Sequence, residues 1–336
     1  MQLQFSFIVP VFNRPSEIDE LLSSLVEQQY PHSFEVVIVE DGSTNSAEQV
    51  VSSYANKLTI NYLFKPNSGP GDSRNFGMRH AKGNYFIILD SDCIVPPQYL
   101  STVSNFLNST YVDCFGGPDA AHTSFSNLQK AINFAMTSFM TTGGIRGNKN
   151  QISKFQPRSF NMGLSKKAFK ETGGFGNIHP GEDPDLSIRL WKLGYQTALI
   201  TDAYVFHKRR ISWRTFYKQV SKFGKVRPIL NYWHPDTRKI TYWFPSVFFI
   251  GFLATVLLAP LIGVYPLAWY VIYFIGVFFG ALFQTKSLSI AIQSVVATGI
   301  QFTGYGIGFL TSVIKLKLYN KAPEQLFPEL FFKNKS

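Results

Sequence analysis

Two acidic clusters hold the residue types that can do chemistry in this chain. The first is LDSD, in which Asp90 and Asp92 flank one small residue at the end of the apolar run YFIIL. Two carboxylates so spaced can hold a hard divalent cation through oxygen, and such a cation is most useful when it bridges phosphates. Asp and Ser also favour turns for local hydrogen-bonding reasons, so the same residues fit a plain strand-to-loop turn. The second cluster is GEDPDL at 181–186. There Pro184 suits the first turn of a helix running to about residue 193, and Asp183 suits its N-cap. Capping alone explains one acid.

Both clusters need elements that bring them together. Apolar runs at 5–12, 34–39, 58–64 and 85–89 read as strands, separated by helical patterns at 16–26, 46–56 and 71–81. In the first helix Ile18, Leu21, Leu22, Leu25 and Val26 share one face, and Ser16 with Asp19 forms a capping-box pattern. Strands alternating with helices make βαβ units, hence an α/β fold on a mostly parallel sheet. Such sheets bind ligands beyond the carboxyl ends of their strands, where residues 10–14, Asp41, Asp90 and Asp92 all fall. An Asp in the place of Asp41 can accept from a ribose hydroxyl or a base N–H. No GxGxxG and no P-loop follows the first strand, which counts against a dinucleotide dehydrogenase and a P-loop NTPase. Further on, 112–118 reads as a strand, 125–140 as an amphipathic helix and 141–156 as a loop able to form a flap. The sheet resumes at 160–165, and 197–206 is a last strand running into His207.

The chain's 336 residues, 45% of them apolar, allow one large domain or two smaller ones. Aromatic and charged residues each make up 16%, a membrane-like balance produced by the nearly uncharged stretch after about residue 243. Cys93 and Cys114 lack CxxC or CxxH spacing, which argues against zinc and against a disulfide framework. The net charge of +11 is concentrated in 207–239, which holds ten Lys/Arg against one Asp. Beside an apolar region, that fits anionic lipid headgroups or a phosphorylated lipid-borne substrate better than nucleic acid. The N-terminus enters a strand without a basic n-region, so no signal peptide is read and the first part is expected in the cytoplasm.

The ordered set VPVFNR, VEDGSTN, NSGPGDSRNFG, LDSD, FNMGLSKKAF with GGF, and GEDPDLSIRL resembles the inverting nucleotide-sugar glycosyltransferases of family 2, over roughly residues 5–210. The resemblance implies a Rossmann-like GT-A catalytic domain at 1–210. In it Pro10, Phe12 and Asn13 cradle the base, Asp41 contacts the nucleotide, and Arg74 lies near nucleotide and diphosphate. Asp90 and Asp92 form the DXD pair, with Asp92 the more direct ligand of Mg2+ or Mn2+ and His207 a third metal or diphosphate contact. Asn161 takes the sugar-proximal position. An inverting transferase needs a carboxylate to accept the acceptor hydroxyl's proton, and the ED motif supplies it: Asp183 is favoured over Glu182, with Asp185 positioning the acceptor or a helix. A polyprenyl-phosphate sugar synthase, sharing the first four motifs, is the alternative; a non-catalytic membrane scaffold is the rival from another class.

The second half reads as a membrane part. A helix at 212–232 in the basic segment 211–240 sets Arg214, Lys218, Lys222 and Lys225 opposite Trp213, Phe216, Val220 and Phe223, as an interfacial helix does; a solvated amphipathic helix packed on the catalytic domain is the other reading, and the two are compatible. The region 241–316 holds two spans, 244–264 and 266–283, and a third apolar segment, 290–314, that either crosses or is re-entrant; 317–336 is a tail. The family's QxxRW motif of processive synthases is missing, which argues for single additions. The expectation is a multi-pass protein of the cytoplasmic (inner) membrane, its catalytic part facing the cytoplasm. Its partners would be a nucleoside-diphosphate-sugar donor, a lipid-linked or surface-glycan acceptor and membrane lipids; the sequence does not give an oligomeric state. The scarcity of ionisable residues in the apolar segments disfavours a solute pathway.

Overall fold

A computed structural model describes residues 2–120, 125–143, 152–153, 155–207 and 212–332. Much of the expected flap, 144–151 and 154, lies outside the described residues. The chain divides into two compact units. One comprises residues 1–122, 147–208 and 331–336, the other 123–146 and 209–330.

The strands are β1 Phe5–Val11, β2 Glu35–Asp41, β3 Thr59–Lys65, β4 Tyr85–Leu89, β5 Cys93–Ile94, β6 Cys114–Gly116, β7 Asp119–Ala120, β8 Ile152–Ser153, β9 Asn161–Ser165, β10 Thr197–Leu199 and β11 Val205–His207. The helices are α1 Pro15–Val26, α2 Glu48–Ser53, α3 Pro70–His80, α4 Tyr99–Ser109, α5 Asn127–Thr137, α6 Phe139–Thr142, α7 Lys166–Thr172, α8 Glu182–Lys192, α9 Trp213–Trp233, α10 Phe244–Ile262, α11 Tyr265–Thr285, α12 Leu288–Leu318 and α13 Pro323–Leu326.

In the first unit the main sheet runs β3-β2-β1-β4-β9-β6-β10-β8. The strand period of two sorts its side chains onto two faces. Phe7, Val9, Val36, Ile38, Ile87 and Leu89 face a core closed by α1, α2 and α4. Ile8, Val37, Val39, Phe86 and Ile88 face another closed by α3, α7 and α8. Strands buried on both faces are why these runs are continuously apolar rather than alternating. The sheet is parallel from β3 to β4, but β9 runs antiparallel between β4 and β6, and β8 runs antiparallel to β10.

Three boundaries differ from expectation, each in a way that matters below. The first helix starts at Pro15, whose fixed φ suits the first helical position. Ser16 is therefore inside the first turn, bonding Glu17, and Arg14 takes the N-cap. The helix α8 starts at Glu182 behind Gly181 at φ +123, a conformation favouring glycine, so Asp183 is in the first turn and is not the cap. The strand expected at 197–206 splits: β10 stays in the main sheet, and β11 joins a small sheet, β5-β11-β7. Its register pairs His207 with Cys93, which brings His207 beside Asp92.

The second unit is helical, and its long element is α12, 31 residues without a break. It packs on α9 with very small separation: a Cβ at Gly304 would lie 2.7 Å from Val220, and one at Gly308 would collide with the Ser221 carbonyl oxygen. Phe216 and Val220 of α9 are buried with Ala297 of α12 and Ile132 and Ala135 of α5. On the apolar face of α9, Phe216 and Val220 are buried, while Trp213 and Phe223 are partly buried against the same cluster. By contrast, 240–262 and 265–285 are long and apolar enough to cross a bilayer, and only 6% and 11% of their most apolar windows is buried.

Candidate active site

Asp90 and Asp92 follow the end of β4, and Glu182 and Asp183 open α8. One guanidinium joins them. Arg74, on α3 and 3% exposed, donates from Nη2 to Asp90 Oδ1 at 2.7 Å and from Nη1 to Glu182 Oε1 at 3.0 Å. Two glycine-containing motifs aim it. Asn75 donates to the Phe175 carbonyl and accepts from its N–H, both at 2.8 Å, and the Phe175 ring lies 5.3 Å from the Arg74 guanidinium. Gly174, at φ +79, has no room for a Cβ against Asn75 Oδ1. Burial opposes the charge of Arg74, but Asp90, Glu182 and Asp183 outweigh it and raise its pKa.

Asp92 is clamped from two sides. Arg14 Nη1 donates to Oδ2 at 2.6 Å, and His207 Nε2 lies 3.3 Å from Oδ1. Burial alone would raise this carboxyl; His207 and Arg14 prevail and hold it well below the usual range. The His207 ring stacks on Phe160 at 4.7 Å. Asp92, Cys93 and His207 present ligand atoms all within 4.8 Å of one another. Cys93, with the buried Cys114 a free thiol, donates to the Phe160 carbonyl, leaving carboxylate oxygen and imidazole nitrogen as the working donors. That set, with Asp90 two residues away, fits a divalent cation that tolerates an imidazole ligand.

The two acids of α8 have opposite environments. Glu182, 3% exposed, would be raised by burial, but His179 at 2.9 Å and Arg74 hold it down to about 2. Asp183 is pushed up to about 6 by burial and by the charge of Glu182, against the pull of Arg74 and Arg158. Its Oδ1 is buried without a hydrogen-bond partner among the described residues. Glu182 is therefore a fixed anion, and Asp183 has the affinity and the free oxygen to accept a proton near neutral pH. Asp185 holds Arg189, which ties down the carbonyls of Thr172 and Gly174.

The nucleotide-side residues divide. Phe12 is 49% exposed, a ring able to stack, and Pro10 lies in β1 paired with Val39. Asn13, at φ +55, spends its side chain on the loop after β2, accepting from Thr44 and Asn45 N–H at 2.8 and 2.9 Å. Asp41 is buried, and each oxygen already accepts two bonds: Oδ1 from Lys65 and Ser68 N–H, Oδ2 from Gly69 N–H and Asn67. It pins the turn into α3. Asn161 is 0% exposed, accepts from Tyr99 at 2.6 Å and donates to the Ala203 carbonyl at 2.8 Å. Sequence reasoning passed over Arg14, Lys65 and His179 as partners of these acids. The signals present were an arginine closing VPVFNR and a histidine one helical turn before Glu182.

The model for "Glycosyl transferase family 2" matches residues 6–173 of this geometry. The chain belongs to that family. It is 37% identical over 114 residues to poly(ribitol-phosphate) beta-N-acetylglucosaminyltransferase TarS of Staphylococcus aureus, covering 33% of this chain and 20% of that protein. It is 27% identical over 239 residues to chondroitin synthase of Pasteurella multocida, covering 60% of this chain and 24% of that one. The chain thus spans only a fifth to a quarter of these two curated relatives. Among solved structures, mannosyltransferase PcManGT from Pyrobaculum calidifontis, in complex with GDP-Man and Mn2+, aligns at TM-score 0.57 and 17% identity over 96% of this chain and 89% of that one. Staphylococcus aureus TarS 1–349 in complex with UDP-GlcNAc aligns at 0.50 and 19%, over 95% and 93%. These likenesses establish a GT-A-like α/β fold.

Proposed function

We propose that the protein is an inverting, divalent-metal-dependent glycosyltransferase that moves one sugar from a nucleoside diphosphate to a lipid-linked or surface-glycan acceptor. The observation that carries this reading is the single guanidinium of Arg74 spanning the acids after β4 and the acids of α8, which sets a donor end and a base end side by side. Asp183 takes the proton of the acceptor hydroxyl as its oxygen attacks the anomeric carbon; the bond to the diphosphate breaks on the opposite face. Asp90, Asp92 and His207 would hold the metal ion, which when bound neutralises charge on the leaving diphosphate. Phe12 offers a stacking surface for the base, while Pro10, Asn13 and Asp41 shape the loops around it. Relatives with nucleotide sugars in their structures support the donor class.

The exposed apolar surface of α10 and α11 supports membrane insertion, since so large a patch is costly in water. With α12 continuous beside them, the apolar helices would bring a lipid-borne acceptor to the catalytic unit from the cytoplasmic face. Purified full chain should release nucleotide from one member of a panel of UDP-, GDP- and dTDP-sugars with Mn2+, and Asp92→Asn and Asp183→Asn should each lower that release by about 10²-fold or more. Nucleotide binding without turnover on any acceptor fraction would overturn the reading in favour of a scaffold.

A further inference from the structure

The two acids after β4 are each already neutralised by an arginine from a different element. Arg74 of α3 holds Asp90 at 2.7 Å, and Arg14, the N-cap of α1, holds Asp92 at 2.6 Å. They are not equivalent. The Arg74 side chain is 3% exposed and is also bound to Glu182, so it is fixed in place. The Arg14 side chain is 35% exposed and makes its contact from a non-helical backbone, at φ −138 and ψ 53, on the loop between β1 and α1. That loop lies at the sheet edge where the donor-facing residues gather. A long, half-exposed guanidinium on Oδ2 competes for Asp92 with any cation that uses this carboxylate with His207.

We infer that Arg14 is an exchangeable cation for Asp92, which leaves it for the diphosphate of the donor when the divalent ion binds. The inference rests on the donor-site reading above and deepens it. Charge bookkeeping supports the exchange. A divalent ion using Asp92 would sit against the Arg14 guanidinium on the same carboxylate, and the two cations repel each other. Bringing in the nucleoside diphosphate restores balance and gives the planar guanidinium a bidentate oxyanion partner. Metal and diphosphate therefore bind cooperatively, each strengthening the other by the same factor. Arg14 is a binding residue in this scheme and takes no part in the proton transfer.

The test measures Mn2+ binding by electron paramagnetic resonance of the free aquo ion, on the full chain in detergent, without nucleotide and with saturating UDP, GDP or dTDP. In the wild type, one of these nucleotides should tighten Mn2+ binding on the order of tenfold. Arg14→Gln should bind Mn2+ alone about threefold to tenfold more tightly, the range expected for removing a half-exposed ionic hydrogen bond. The nucleotide should then add little. Arg14→Lys, which keeps charge without the planar fork, should fall between, and unchanged thermal melting of both variants shows that the fold is kept. If Arg14→Gln binds Mn2+ alone no more tightly than wild type, or keeps the full nucleotide effect, the exchange is refuted while the donor-site reading stands. If no nucleotide affects Mn2+ binding in the wild type, the donor-site reading itself fails.

Discussion

Arg74→Met removes the one contact common to both acidic clusters while keeping the bulk of the side chain. Asp90 is 31% exposed at its side chain and regains water, so its share of the loss is small. Glu182 is 4% exposed at its side chain and keeps His179 as its charged partner among the described residues. Removing one partner of a buried pair costs about 3–5 kcal/mol, and with His179 retained the lower end, about 3 kcal/mol, applies. For a unit of this size that lowers Tm by roughly 6–12 °C. The pH dependence gives a second readout. The carboxyl of Glu182 is held down to about 2 in the folded protein, so its stabilisation is fully present above the unfolded carboxylate pKa of about 4.3 and is lost as pH falls through about 2. Without Arg74 that folded value rises, so the deficit is full at neutral pH and shrinks as pH falls from about 4.3 towards about 2. Thermal unfolding of the full chain in detergent, followed by near-ultraviolet circular dichroism at neutral pH and across that range, measures it. Adding Glu182→Gln to Arg74→Met should recover about half of the neutral-pH loss by removing the stranded charge. No loss at neutral pH, or an equal loss with and without Glu182→Gln, refutes Arg74 as the electrostatic link.

Four further outcomes follow from the structure. The acid limb of kcat/KM should break near pH 6, the value of Asp183, with activity lost below it as the base protonates; Glu182→Gln should move the break lower by removing the charge that raises Asp183. Asp183→Asn should cost about 10²–10⁴-fold in kcat in a coupled nucleotide-release assay. Asn161→Ala should lower Tm by leaving the Tyr99 hydroxyl and the Ala203 carbonyl unpaired, at about 2–4 kcal/mol, with donor KM unchanged; a raised KM at wild-type Tm would restore a sugar contact. Gly308→Leu should separate α9 from α12, since even a Cβ there meets the Ser221 backbone, and size-exclusion profiles and protease sensitivity of the 213–233 helix would report it; an unchanged digestion pattern counts against the close packing.

What was legible in the sequence was whatever depended on period and order. The runs that became β1, β2 and β4 were readable because burial on both faces demands continuous apolar residues, and the acids at their ends because loops begin where such runs stop. The motifs marked Arg74, Asp90, Asp92 and Asp183 as chemistry but not which charge each faces, because partners across 108 and 78 positions are set by tertiary packing. Asn161 shows the cost of that gap: a polar residue in a motif reads as a ligand contact, yet its place at the start of β9 turns its amide into an internal strut. The basic helix at 213–233 shows the converse: its amphipathic pattern was legible, but its packing on α12 was not, because the α12 glycines that admit so close an approach say nothing without a partner. Arg14 is the sharpest case. Its residue type was visible at the end of VPVFNR, but its reach to Asp92 depends on Pro15 starting α1 one residue before the serine that seemed built to cap it. With Ser16 as cap, Arg14 would lie two residues farther from the helix start; with Pro15 opening the helix, Arg14 is the N-cap and its guanidinium meets Asp92 at 2.6 Å.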